Sequence, residues 1–365
     1  MPSSRTSMPA DQQTSGARRI IHVLVVDDSA VVRQTITALL HSQADIRTTI
    51  AADPLIAIEK MKRDRPDVIV LDLEMPRMDG LTFLRKIMAE EPTPVIVCSG
   101  YVGEGSEQAM RALDSGAVEL ITKPKVGLQA FLHETAVTLV DAIRAAALYK
   151  MPARRRPAPS DSHLHAAPER RLAPPQLIAI GSSTGGPEAL RKILPAMDQS
   201  TCGIVVVQHM PEIFTASFAR HLNAVCRIEV KEAESGDEIR AGRALIAPGD
   251  RHMEVIESRG RLCVDICRGP LVSRHRPSVD VLFRSVARSV ARNAVGIILT
   301  GMGGDGADGL REMHDAGAYT IAQDESSCAV FGMPRAAIKR RAVDHVLPLD
   351  EIAPALISVF TDYDR

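Results

Sequence analysis

Two doubly wound, mostly parallel α/β sheets, one in each half of the chain, are the architecture this sequence predicts. Three observations carry that prediction. Short apolar runs such as Val68-Ile-Val-Leu71 and Gly203-Ile-Val-Val-Val-Gln208 alternate with stretches of helical spacing, which marks buried parallel strands. From Lys150-Met-Pro-Ala-Arg-Arg-Arg-Pro to Pro174-Pro175 the chain is rich in proline, alanine and arginine, with no apolar period, and reads as an extended linker. A length of 365 residues favours two domains. The expected boundaries are a polar, disordered tail over 1–18, a first domain over 19–145, the linker over 146–174 and a second domain over 175–365.

In the first domain, strands are expected at 22–26, 47–51, 68–71, 95–97 and 120–122, with helices such as 29–40 and 81–89 between them. Five βα units in so short a segment imply a flavodoxin-like (βα)5 fold, whose sites lie beyond the carboxyl ends of the strands. Asp27 and Asp28 follow the first strand there, Asp72 the third, Ser99 closes the fourth and Lys123 the fifth. Carboxylates crowded at one sheet edge repel one another unless a cation is bound, and hard oxygen ligands suit Mg²⁺. A hydroxyl and an ammonium beside them match what an acyl phosphate needs. The competing reading, helix capping by each Asp, accounts for one such residue more readily than for the set.

In the second domain, Gly181, Ser183 and Gly185 fit G-x-S-x-G, which lifts a serine onto a strained strand-to-helix turn. Alone, that turn is equally a phosphate cradle or a tight βα loop. Two more apolar runs, 203–208 and 295–299, deliver His209 and the loop Thr300-Gly-Met-Gly-Gly-Asp305 to what is expected to be the same edge. Serine needs a base, histidine is suited to that task, and a carboxylate behind the imidazole fixes its tautomer. Ser183, His209 and Asp305 supply the set in the order Ser…His…Asp, which differs from the α/β-hydrolase order. Oxyanion donors are expected from backbone N–H groups around Thr184 and in the Gly301-Met302-Gly303 loop; one such donor is worth about 3 kcal/mol of barrier.

Composition narrows the function classes. A net charge of −1 gives no pull towards nucleic acid or anionic membranes. No apolar stretch reaches membrane-span length and the N-terminus lacks a signal-peptide core, so neither membrane insertion nor export is expected. The six cysteines are dispersed, as in a cytoplasmic protein with reduced thiols.

The segments DDSAVVR, LDLEMPRMDG, CSG and TKP resemble a response-regulator receiver domain over about residues 19–145. That resemblance implies Asp72 as phosphoacceptor, Asp27, Asp28, Asp72 and the Glu74 backbone carbonyl as Mg²⁺ ligands, and Ser99 and Lys123 as phosphoryl-binding groups. Many receivers carry an aromatic switch residue where this chain has Leu120. The segments IAIGSSTGGPEAL, VVVQHMP, IAPGDRHM, HRPSVDVLF, LTGMGGDGADGL and VFGMPRAA resemble the catalytic domain of the chemotaxis protein-glutamate methylesterases (CheB). The family implies a triad of Ser183, His209 and Asp305, hydrolysis of γ-glutamyl methyl esters on chemoreceptor helices with release of methanol, glutamine deamidation on the same receptors, and a chemotaxis histidine kinase as phosphodonor. The esterase step needs no metal or organic cofactor, and a receiver held at high effective concentration by its tether is expected to restrain it.

Arg274, His275 and Arg276 are expected to be either receptor contacts or merely solvated. Asp250 and His252 are expected to be structural; were His252 the base, His209→Ala would leave most activity. Two other classes stay open: a receiver-controlled binding protein with an inactive hydrolase domain, and a serine hydrolase of this fold acting on another ester or amide.

Overall fold

The computed structural model describes residues 19–75, 78–100, 104–123, 129–149 and 175–361. The expected tail over 1–18 and the linker from residue 150 onwards lie outside the described residues. The first domain runs β1 (Ile21–Val26), α1 (Ala30–His41), β2 (Ile46–Ala51), α2 (Pro54–Arg63), β3 (Val68–Leu71), α3 (Gly80–Glu90), β4 (Val95–Ser99), α4 (Glu104–Asp114), β5 (Glu119–Thr122) and α5 (Gln129–Leu148). Its five strands lie in the order β2-β1-β3-β4-β5, all parallel. Helix starts follow side-chain chemistry: Ser29 accepts from Val32 N, Asp53 from Leu55 N and Ile56 N ahead of α2, and Asp79 from Thr82 N ahead of α3. The strand expected at 47–51 is real although only its two ends are buried, because it lies at the sheet's edge.

The second domain runs β6 (Leu177–Ser182), α6 (Gly186–Ile193), β7 (Gly203–Gln208), α7 (Glu212–Asn223), β8 (Glu229–Glu232), β9 (Arg243–Ile246), β10 (His252–Ser258), β11 (Arg261–Cys267), α8 (Val279–Ser289), β12 (Ala294–Ile298), α9 (Ala307–Asp315), β13 (Tyr319–Gln323), α10 (Met333–Lys339), β14 (His345–Leu347) and α11 (Leu349–Thr361). Seven parallel strands form the order β14-β13-β12-β6-β7-β9-β8, and β10 pairs antiparallel with β11 as a separate hairpin. The chain leaves β6 towards β7 on one side and returns to β12 on the other. The crevice beside β6 is therefore the switch point where open sheets build their sites.

The two domains pack on each other. Helix α4 lies against α7, where the buried Ser106 hydroxyl donates to the Ile213 carbonyl at 3.1 Å. Asp114 accepts from His221 Nε2 at 3.0 Å and from Arg191. Arg274 reaches Asp141 of α5 at 3.4 Å. One apolar cluster continues across the seam, from Ala109 and Met110 to Met210 and Phe214. Among the described residues no helix is long and apolar enough to cross a membrane.

Candidate active site

Ser183 follows β6, His209 follows β7 and Asp305 lies seven residues beyond β12, so three neighbouring strands deliver one residue each to a single edge. The loops are tied together at their roots. Ser183 N donates to Thr300 O, His209 N to Ser182 O and Leu299 N to Gly181 O, all near 3.0 Å. Buried Gln208 finishes the job: its Oε1 accepts from Ser182 Oγ at 2.7 Å and its Nε2 donates to the Ser183 and His209 carbonyls, both at 2.9 Å.

His209 Nε2 meets Asp305 Oδ2 at 2.9 Å. An ionised carboxylate only accepts, so Nε2 carries the proton and Nδ1 presents its lone pair. That Nδ1 is buried with no hydrogen-bond partner among the described residues, and the side chain is only 7% exposed. It is the nitrogen available as a base. Asp305 also accepts from Ser278 Oγ (2.7 Å), Val279 N (2.7 Å) and Asp280 N (3.2 Å), the last two being free donors at the start of α8. Burial alone would push its pKa up. The hydrogen bond and charge of His209, with the Ser278 and Val279 donors, outweigh burial and hold it below the ordinary aspartate range.

Gly301 explains how the third loop closes on Ser183. A Cβ there would lie 2.7 Å from Ser183 Cβ, so only glycine lets this backbone approach. The approach brings the Met302 loop beside Ser183, and Met302 and Thr184 line the same cavity. Neither the Thr184 nor the Met302 N–H is taken up by a carbonyl among the described residues. Gly185 turns the chain into α6 with φ of 79°, a left-handed conformation that costs glycine little.

This cavity, of about 290 Å³, is roofed by the first domain through Glu119 and Leu120 of β5 and Thr138 and Asp141 of α5. Glu119 accepts from the Thr184 hydroxyl, next to Ser183 in the chain. Burial raises its pKa to about 7, against the opposing pull of Thr184 and of the nearby His209.

At the carboxyl edge of the first sheet, the Asp27, Asp28 and Asp72 oxygens lie within 4.8 Å of one another. Lys123 Nζ sits 2.7 Å from Asp72 and 3.1 Å from Asp27. Burial raises the Asp72 pKa to about 6, with Lys123 opposing and the Asp27 charge adding. Burial would lower Lys123, but its bond to Asp72 and the charges of both carboxylates lift it to about 12. An oxygen-only donor set of this charge fits a hard divalent cation. Ser99 is buried at the end of β4, and its carbonyl accepts from Lys123 N at 3.0 Å. Glu74 is exposed, its N–H 3.3 Å from Asp72 Oδ1.

Other residues appear in places the sequence did not reveal. His275, expected either to contact the receptor or to be merely solvated, stacks on His209 with ring centroids 3.8 Å apart. Arg276 bonds Asp250 and the Gly269 carbonyl. His252 is buried: Ser278 N donates to its Nδ1 at 3.2 Å, and its Nε2 donates to Pro270 O at 2.9 Å. Both ring nitrogens are committed, so His252 serves the loop rather than the reaction. Gln208, Ser278 and Glu119 carried no sequence signal; only the approach of their partners across the fold gives them roles.

The sequence matches the CheB methylesterase family over residues 178–356 and the response regulator receiver domain over residues 23–132. It is 54% identical, over 92% of this chain and 98% of the relative, to a protein-glutamate methylesterase/protein-glutamine glutaminase of Pseudomonas syringae pv. tomato. It is 52% identical, over 96% and 99% of the two chains, to one of Anaeromyxobacter dehalogenans. The crystal structure of the Thermotoga maritima CheB methylesterase catalytic domain aligns over its whole length with 51% of this chain, at 38% identity and a TM-score of 0.50.

Proposed function

The chain belongs to the protein-glutamate methylesterase/protein-glutamine glutaminase (CheB) family, and we propose that it removes methyl groups from chemoreceptor γ-glutamyl esters as a phosphorylation-controlled serine hydrolase. The observation that carries this reading is the His209–Asp305 pair, with His209 lining the same cavity as Ser183 and its second imidazole nitrogen unpartnered among the described residues.

Ser183 Oγ attacks the ester carbonyl carbon while its proton passes to His209 Nδ1. The N–H groups of Thr184 and Met302 hold the oxyanion. Collapse breaks the bond to the methoxy oxygen, which leaves as methanol with the His209 proton, and a γ-glutamyl ester remains on Ser183. Water then gives a proton to Nδ1 and attacks that ester. The second collapse returns the proton to Ser183 Oγ and frees the glutamate side chain. With a glutamine side chain the first leaving group is ammonia, so one triad serves deamidation too.

In the receiver, Asp72 takes a phosphoryl group from a chemotaxis histidine kinase, and Ser99 and Lys123 bind its oxygens. Asp27, Asp28, Asp72 and the Glu74 carbonyl are the groups to hold Mg²⁺, which when bound neutralises charge at the acceptor carboxylate. Strand β5 joins the two sites: Glu119 at its start bonds Thr184, and Lys123, just past its end, bonds Asp72. Drawing Lys123 onto a phosphoryl oxygen loosens its hold on both carboxylates and shifts the strand that roofs Ser183. The substrate helices and the kinase make the cytoplasm the working compartment.

Methanol release from methylated receptor membranes, with and without acetyl phosphate and Mg²⁺, tests this reading. Stimulated release that Ser183→Ala abolishes is the expected result. No release from the wild type points to another ester or amide. Equal activity of the full chain and the 170–365 fragment refutes restraint by the receiver.

A further inference from the structure

His275 lies outside the triad, yet its ring lies flat on the ring of the base. The two imidazoles are 3.8 Å apart between centroids and 6° from parallel. Its delivery is an investment of the fold. Val272 N donates to His275 O at 3.1 Å and His275 N to Val272 O at 2.9 Å, closing a tight turn whose two central residues, Ser273 and Arg274, have φ of 51° and 67°. Turns of this hand ordinarily use glycine or asparagine. Serine and arginine there are strained, and such strain persists where the surrounding structure holds it, often at active sites. Here Ser273 Oγ donates to Asp280 Oδ2 at 3.3 Å, and Asp280 N donates to Asp305. The turn is therefore anchored to the same cluster of groups that fixes the triad acid.

The ring is neutral and its orientation is fixed. Its Nδ1 lies 2.7 Å from Ser273 O, which only accepts, so Nδ1 carries the proton. Burial, reinforced by the neighbouring His209, lowers its pKa to about 4.

We infer that His275 is a positioning residue of the esterase reaction, its ring fixing the plane of His209 and stabilising the imidazolium that forms when Ser183 gives up its proton. The first part follows from mechanics. The torsion that turns an imidazole about its Cβ–Cγ bond is soft, and the single bond to Asp305 anchors one nitrogen without fixing the plane. A parallel ring in contact removes that freedom and keeps Nδ1 aimed at one place. The second part is electrostatic: the face of a neutral aromatic ring attracts a cation, more strongly where water is excluded. The cation exists only after proton transfer, so the benefit falls on the transition state and its intermediates, and shows in kcat rather than KM.

The inference rests on the triad reading above, so the experiment secures that first. The full chain, activated with acetyl phosphate and Mg²⁺, is labelled with a fluorophosphonate, which reports activation of Ser183 whatever the natural substrate. Labelling of the wild type but not of Ser183→Ala establishes the nucleophile; absence of labelling in the wild type overturns the triad reading and with it this inference. Given labelling, His275→Ala is expected to slow it about tenfold, and to lower kcat for methanol release by the same factor with KM little changed. His275→Phe, which keeps a flat ring but no Nδ1–H, is expected to restore most of the rate. Three results overturn the inference: wild-type rates in His275→Ala; His275→Phe as slow as His275→Ala, which assigns the effect to the Ser273 bond; or a loss in His275→Ala as complete as in His209→Ala, which makes His275 a base.

Discussion

At the carboxyl edge of the first sheet, Asp72 and Asp27 share the ammonium of Lys123, whereas at the same edge of the second sheet Asp305 gathers a histidine, a hydroxyl and two backbone N–H groups. Both edges belong to parallel, doubly wound sheets, and both carboxylates are almost wholly buried. Their electrostatics nevertheless run in opposite directions. Burial prevails at Asp72 and lifts its pKa to about 6, while at Asp305 the donors prevail and hold it down. A carboxylate short of donors gains from an added cation, as the role proposed for Asp72 requires. A carboxylate saturated with donors gains nothing from change and holds its histidine in one tautomer. The fold supplies the edge, and the donors around each carboxylate decide which way its pKa moves.

Substitutions sharpen that contrast, beginning with the largest effect. Ser183→Ala is expected to lower methanol release about 10⁵-fold or more, since nucleophile, base and acid act as a unit. Asp305→Asn keeps the shape but can hold the wrong imidazole tautomer, and a loss of about 10⁴-fold in kcat is expected. Should Asp305→Asn cost only a few-fold, the donor-saturated acid would not be what orients His209, and the contrast with Asp72 would lose its meaning. Asp72→Asn is expected to do the reverse: stimulation by acetyl phosphate disappears, while unstimulated activity stays close to the wild-type level. Stimulation that survives in Asp72→Asn would move the switch elsewhere.

The smallest effects lie at the seam. Glu119→Ala is expected to raise the unstimulated rate a few-fold, comparable to losing one ordinary hydrogen bond of about 1 kcal/mol, and to leave the fully stimulated rate unchanged. Its pKa predicts a pH dependence with a definite sign. The closed form binds the Glu119 proton more tightly than the open form, so closure is strongest at low pH and weakens as pH rises towards about 7. The unstimulated rate, expressed as a fraction of the stimulated rate at each pH, should therefore climb across that interval and level off above it. Glu119→Gln should flatten the curve. A ratio that falls with rising pH would contradict the assignment of Glu119 to the closed contact.

Much of this was legible without a structure. Apolar runs at β3 and β7 coincide with the strands expected there, and the residues that end buried parallel strands pointed to both edges. Parallel sheets make that possible, because a strand buried on both faces is a continuous apolar run and its last residue has nowhere to go but the site. The signal fails where strands are exposed. Strand β8 is Glu-Val-Lys-Glu with one buried residue, and the β10–β11 hairpin is half open to solvent, so neither stands out from a polar loop.

The sequence by itself determined the chemical inventory: a serine, a histidine and an aspartate at strand ends of one domain, and an aspartate cluster with a lysine in the other. Tertiary structure alone decided the orientation of that inventory. It chose which imidazole nitrogen faces Asp305, laid His275 on His209 instead of in solvent, and brought Glu119 of one domain to Thr184 of the other. Those are contacts between residues 65 to 96 positions apart along the chain, fixed by loop anchoring and domain packing. Local patterning reports periodicity within an element, and it carries no term for what a neighbouring loop or a second domain sets against it.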